Sequence, residues 1–210
     1  SNREYRADLF RLGGVLMAKQ RLDELERVQI ESSADLRDWL YANHTQPDSI
    51  WLVTFKKSDP DRYVSYDAFV DEAMCFGWVD SVPRKLDEHR TMHLLSPRKP
   101  GSGWSAVNKD RIARMEAENK MHPMGRAAVS AAKADGSWDF LNDVDALIEP
   151  ADLVARLDAT PEARKNFDLF SRSSRRGILE WIKQAKRPET RAKRIVETVE
   201  LAAKGIKANH

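Results

Sequence analysis

The sequence predicts an α+β fold, a small and mostly antiparallel sheet with packed helices, followed by an all-helical C-terminal part. Residues 50–57 read Ile-Trp-Leu-Val-Thr-Phe-Lys-Lys, a run of β-forming residues between turn-forming segments that is too short for a helix. From Trp104 onward, apolar residues recur at helical spacing and prolines fall near helix starts. The strands therefore precede the helices and do not alternate with them, which is the order of an α+β protein.

Capping residues and apolar periodicity place the elements of the first half. Ser32, Ser33 and Ser65 suit helix N-termini, and Gly77 suits the end of the second helix. We expect, in chain order, a strand at 28–30, a helix from Ser33 to near Asn43, a strand at 50–57, a helix from Ser65 to Gly77, and strands at 78–82 and 91–95.

The second half predicts helices separated by one long break. The helices cover 103–119, 123–134, 150–158, 161–170, 173–186 and 188–204. We therefore divide the chain into an N-terminal extension (1–27), an α+β core domain (28–135), a linker (136–149) and a helical segment (150–210). The extension is predicted to be partly helical or loosely ordered, because Gly13-Gly14 interrupt its helical pattern.

Composition limits the class of protein. Hydrophobic residues make up 41% and charged residues 32%, the formal net charge is +2, and Cys75 is the single cysteine. These values predict a cytoplasmic globular protein without a membrane span, a disulfide framework or an overall preference for nucleic acid. We predict neither a cofactor nor a metal. His89 and His93 would lie about 13 Å apart on an extended segment, too far to share an ion.

The stretch 75–111 contains the candidate ligand site. A basic loop with Arg98 and Lys99 precedes a helix that begins near Trp104, and a basic loop before a helix N-terminus suits an anion. In this hypothesis two arginines clamp the anion, two tryptophans form walls and Asn108 orients it. The alternative is that these polar residues fasten the loop to the core. The predicted ligand set is Trp78, Asp80, Arg84, Arg98, Trp104, Asn108 and Arg111.

A basic stripe marks the predicted helix at 173–186. Arg172, Arg176 and Lys183 fall within an arc of about 40°, and Arg187 follows. The stripe predicts a surface for an anionic protein partner, with a solvated helix face as the alternative. Glu180 dilutes it and no aromatic residue is interleaved, so nucleic acid is not the expected partner.

Catalysis has one tentative candidate, Asp80, as a general acid or base. Cys75 is interpreted as a core residue, because it lies at the C-terminal end of its helix, where the helix dipole disfavours a thiolate. No serine lies in a Gly-x-Ser-x-Gly turn.

Several motifs in order resemble those of the YdeI/OmpD-associated (bacteriocin-protection) family. They are Cys75-Phe76-Gly77-Trp78-Val79-Asp80, then Arg84, Ser96-Pro97-Arg98, Ser102-Gly103-Trp104-Ser105 and Asn108. The tail from Pro150 to Arg191 is similar to the family's C-terminal OmdA-type helical segment, so the resemblance covers about residues 28–205. It implies a bacterial protein connected with resistance to bacteriocins and cationic antimicrobial peptides and with a porin partner.

Two hypotheses follow. The first is a non-catalytic stress- or bacteriocin-protection protein with a small-anion pocket and a basic helical tail that binds a partner. The alternative is an enzyme that acts on a small anionic substrate with Asp80 as acid or base.

Overall fold

The computed structural model describes residues 22–209, and the α+β class with its all-helical C-terminal part is confirmed. The predicted N-terminal extension lies outside the described residues up to position 21. The described residues form four strands: β1 (Arg27–Gln29), β2 (Ile50–Phe55), β3 (Trp78–Lys85) and β4 (Arg90–Pro97). They also form nine helices: α1 (Ser33–Asn43), α2 (Tyr66–Cys75), α3 (Ala106–Ala117), α4 (Pro123–Asp135), α5 (Asn142–Asp145), α6 (Ala151–Asp158), α7 (Pro161–Leu169), α8 (Arg172–Lys183) and α9 (Pro188–Ala203).

The four strands form one mixed sheet in the order β1-β2-β4-β3. β1 pairs with β2 in parallel, and the β2–β4 and β3–β4 pairs are antiparallel. The sheet is therefore mostly antiparallel, as predicted. All six residues of the strand β2 are buried, which explains why its sequence is apolar except for Thr54 and does not alternate.

Side-chain caps fix where the first two helices begin. The Ser32 hydroxyl accepts a hydrogen bond from the Asp35 amide, and the Asp35 carboxylate accepts one from the Ser32 amide, which forms a capping box. The Ser65 hydroxyl accepts a hydrogen bond from the amide of Ala68 in α2. Gly77 takes the left-handed φ of 77° that ends this helix and leads into β3.

The described residues group into two compact units. The first comprises 22–102 with Arg111–Ala132, and the second comprises Gly103–Asp110 with 133–209. In the first unit, buried side chains of α1 and α2 include Leu36, Leu40 and Phe69. A separate cluster joins Trp51 and Val53 of β2 to Met92 of β4. The predicted domain boundaries remain a prediction.

The second unit has its own apolar core. Helices α6 to α9 contribute buried side chains such as Leu153, Phe167, Ile182 and Val199. The predicted linker, residues 136–149, contains α5 and adds Leu141 and Val144 to this core.

Candidate functional site

Asp80 lies in a small aromatic and polar cluster of the first unit. The Tyr66 hydroxyl donates a hydrogen bond of 2.8 Å to Oδ2 of Asp80, and burial, reinforced by this carboxylate, raises the pKa of Tyr66 to about 12. His93 on β4 packs against Phe69 at 4.7 Å between ring centroids. Burial lowers the pKa of His93, an effect that the charge of Asp80 opposes. Asp80 is thus held by a hydroxyl group and remains accessible at the outer strand.

Arg84, a predicted anion clamp, is engaged elsewhere. Its Nη1 donates to the Asp23 carboxylate at 2.7 Å, and its guanidinium lies 4.8 Å from the centroid of the Trp51 ring. Asp80 contacts Tyr66 instead, so among residues 22–209 Asp80 and Arg84, both on β3, bind different partners.

Arg111, another member of the predicted ligand set, belongs to an ion-pair network. Arg111 forms ion pairs with Asp67 and, at 2.8 Å, with Asp71. Asp71 forms a second ion pair, with Arg114, also at 2.8 Å. The side chains of Arg111 and Asp71 are each only 11% exposed. An anion at Arg111 would therefore have to replace carboxylates that already satisfy the guanidinium.

Arg98 is the most buried of the predicted clamps. Its Nη2 donates to the Ser102 carbonyl at 3.4 Å, and its backbone amide donates to the Gly77 carbonyl at 2.9 Å. Burial lowers the pKa of its guanidinium to about 10. These contacts fasten the loop after β4 to the turn that precedes β3.

The two predicted tryptophan walls are core residues of different units. Trp78 is 1% exposed, donates to the His44 carbonyl at 3.1 Å and packs edge-on against Trp39 in the first unit. Trp104 is 2% exposed and packs against Trp138 in the second unit at 5.1 Å. Both side chains bury a large apolar surface, as tryptophan does in protein cores.

Asn108 and Arg176, assigned by sequence to different sites, line one cleft of the second unit. The cleft has a volume of about 360 Å³ and is also lined by Ser105, Glu180 and Leu141. Sequence reasoning treated Glu180 only as a charge that dilutes the basic stripe. The signal that could have identified its role is the four-residue spacing of Arg176 and Glu180 on one helix, which places them side by side.

The rest of the predicted basic stripe is largely paired within the second unit. Arg172 donates to the Asp145 carbonyl, Arg176 pairs with the Asp145 carboxylate, and Lys183 pairs with Asp143. Arg187, at the N-cap of α9, is exposed.

Cys75 is buried, as the sequence interpretation expected, and burial raises the pKa of its thiol to about 11. Such a thiol is a poor nucleophile at neutral pH. Between residues 22 and 209, no group of three or more His, Cys, Asp or Glu side chains could hold a metal ion. Over the same range, no helix is both long and apolar enough to cross a membrane.

The architecture defines an α+β protein whose C-terminal part is a helical unit with its own core. Residues 146–205 match the family described as Bacteriocin-protection, YdeI or OmpD-Associated (OmdA), so the C-terminal part of the chain carries an OmdA domain. Residues 28–128 match a domain of unknown function (DUF8412).

The family resemblance is therefore confirmed for the C-terminal part, whereas the motifs between Cys75 and Asn108 fall within the other match. Searches of curated proteins and of solved structures gave no match to this chain.

Proposed function

We propose that this protein is a non-catalytic protection protein that lowers the sensitivity of a bacterial cell to bacteriocins or cationic antimicrobial peptides. The observation that carries the proposal is the OmdA match over residues 146–205. The contacts of the predicted ligand set support a non-catalytic role, because Arg84 and Arg111 pair with carboxylates of the protein itself. The small-anion pocket predicted there is not part of the proposal.

The protein acts in this proposal by binding an anionic surface of a partner protein. The matched segment holds thirteen Lys and Arg against nine Asp and Glu, a formal charge of +4. Two residues of the predicted stripe, Arg172 and Arg187, are exposed, and Arg187 directly follows the exposed Lys186 in sequence. Arg176 and Lys183 contribute less, since Asp145, Glu180 and Asp143 offset their charges.

The alternative of an enzyme with Asp80 as acid or base has one specific observation in its favour. The Asp80 carboxylate is held by the Tyr66 hydroxyl, and Arg84 pairs with Asp23 instead of with Asp80. A carboxylate that keeps its accepting capacity beside a tyrosine and a histidine is compatible with proton transfer to a small anionic substrate.

Survival of a bacteriocin-sensitive bacterial strain tests the proposal. Cells that express the full chain should survive bacteriocin or cationic-peptide challenge better than cells with an empty vector. The double charge reversal Lys186→Glu with Arg187→Glu should remove the gain. The matched control is Lys165→Glu on α7, which reverses an exposed lysine elsewhere on the same unit and should leave the gain intact.

Each other outcome has a defined meaning. No gain in survival from a folded, expressed chain would reject the protective role. Full protection by the double reversal would reject the basic partner surface and leave the protective role standing. Loss of protection in Asp80→Asn at unchanged expression and stability would favour the enzyme.

A further inference from the structure

The cleft of the second unit has the dimensions and the polar groups of a small-molecule site. Its volume of about 360 Å³ lies at the lower end of the range of ligand pockets. Two segments line it: Ser105 and Asn108 at and just before the first turn of α3, and Arg176 and Glu180 one turn apart on α8. Leu141 and Val107 add apolar surface.

The charged groups of this cleft are held in fixed positions. Nε of Arg176 donates to Asp145 at 2.7 Å, and Nη1 donates to Glu180 at 2.6 Å. The other oxygen of Glu180 accepts a hydrogen bond of 3.0 Å from Gln184. A guanidinium held by two carboxylates cannot turn away from the cleft, so this arrangement orients the site before a ligand arrives.

Hydrogen-bonding capacity remains on both segments. Within the described part of the chain, neither Nη2 of Arg176 nor the carboxamide of Asn108 makes a hydrogen bond. The Ser105 hydroxyl oxygen accepts a hydrogen bond of 3.3 Å from the backbone N–H of Asn108, and the hydroxyl proton remains free to be donated to a ligand. Glu180 keeps lone pairs on its two oxygens. The cleft therefore offers donors and acceptors side by side.

The balance of charge decides the class of ligand. One guanidinium stands between two carboxylates, so an anion would compete with Asp145 and Glu180 for Arg176. A cation would compete with the guanidinium for the same carboxylates. A hydroxyl group has neither difficulty, because it accepts from Arg176 or Asn108 and donates to Glu180 without adding charge.

We propose that this cleft binds a neutral polyhydroxylated molecule of the size of one or two sugar units. Hydroxyl groups of the ligand bond to Asn108, Arg176 and Glu180, and the C–H face of its ring lies against Leu141 and Val107. Gly103 completes the wall, because a side chain there would meet Leu141 at 3.0 Å and Phe140 at 3.1 Å. The proposal does not depend on the protective function.

Titration calorimetry on the full chain tests the site, with neutral mono- and disaccharides as probes and inorganic phosphate and glycine as charged comparisons. Asn108→Ala removes a hydrogen-bonding group and leaves the Arg176 ion pairs intact. Glu180→Gln removes a charged acceptor and should weaken sugar binding about tenfold, the equivalent of one charge-assisted hydrogen bond. The matched control, Glu200→Gln, changes an exposed glutamate on α9 and should bind like the parent protein.

Saturable binding of a neutral sugar that weakens in both cleft variants and persists in the control is the expected result. In ¹⁵N-labelled protein the same sugar should shift the amide resonances of Gly103 and Val107, which reports the location even if one variant is unstable. Absence of sugar binding overturns the proposal, as does sugar binding unchanged in both variants. Binding of phosphate or glycine alone, lost in the variants, would show a charged ligand and reject the neutral class.

Discussion

Replacing Gly125 with alanine would test a close approach of two helices in the first unit. Gly125 lies in α4, and a Cβ atom there would be 2.1 Å from the carbonyl oxygen of Cys75 at the end of α2. It would also be 2.7 Å from the carbonyl carbon of the same residue. Both atoms belong to the backbone, so they cannot rotate out of the way as a flexible side chain would.

The expected cost follows from these distances. Ordinary contact begins at 3.4 Å, so the two helices would have to separate by about 1.3 Å, the difference between 3.4 and 2.1 Å. Overpacking of this kind costs about 1–3 kcal/mol. The hydrogen bond of 3.0 Å from the His122 amide to the Cys75 carbonyl would weaken, at about 1 kcal/mol, while alanine returns about 1 kcal/mol of helix propensity. The net loss in the free energy of unfolding is about 1–3 kcal/mol.

Urea unfolding followed by circular dichroism would measure the change, and Gly177→Ala provides the control. Gly177 lies in α8, and a Cβ atom there would meet no atom of residues 22–209 within 4 Å. The same substitution should therefore stabilise the second unit by about 0.5–1 kcal/mol. Gly125→Ala should lower the urea midpoint of the first unit by about 1 M. A Gly125→Ala midpoint equal to or above that of the parent protein would refute the close helix contact.

Two further predictions concern charges in the first unit. Asp71→Ala should lower the free energy of unfolding by about 2 kcal/mol, because it removes the buried carboxylate that accepts from Arg111 and Arg114 and leaves Arg111 with the exposed Asp67. Asp67→Ala should cost much less, because Arg111 then keeps its buried partner Asp71; equal urea midpoints for the two alanine variants would contradict this. Burial lowers the pKa of His93 and of His122, the latter also through the charge of His44, so the unfolded chain binds protons more readily. The contribution of these two histidines to stability should be constant well above pH 6.5, their unfolded pKa, and should fall as the pH drops below it. His122→Gln should reduce the loss of the urea midpoint between pH 7.5 and 5.5, and an equal loss in the variant and the parent protein would contradict this role of His122.

The fold could be predicted closely because its signals are local. Ser32 and Ser65 cap helices through their own side chains, and Gly77 ends a helix through its own φ. The composition of the buried strand β2 is enough to locate it, because the segments on either side are rich in turn-forming residues. The four-residue helix α5 was not predicted, because so short a segment has no periodicity, and the burial of Leu141 and Val144 depends on helices far along the chain.

The candidate site could be predicted only as a set of residue types. Arg111 has a helical position that indicates burial, but its partners Asp67 and Asp71 lie forty or more positions earlier. Asn108 and Arg176 are brought to one cleft by packing that no local pattern encodes. The sequence could thus identify residues that are charged or able to form hydrogen bonds. Which of these charges are neutralised by ion pairs within the protein is decided by the folded structure.

The outer strand β3 limits how this protein can associate with others. Pro83 lies within β3 and has no N–H to donate. The pairing register between β3 and β4 also shifts between Asp80 and Pro83. A foreign strand that tried to extend the sheet along β3 would meet an interrupted ladder of hydrogen bonds. Growth of the sheet by chain-to-chain pairing is therefore disfavoured on this side, which lowers the tendency of folded copies of the protein to aggregate edge to edge.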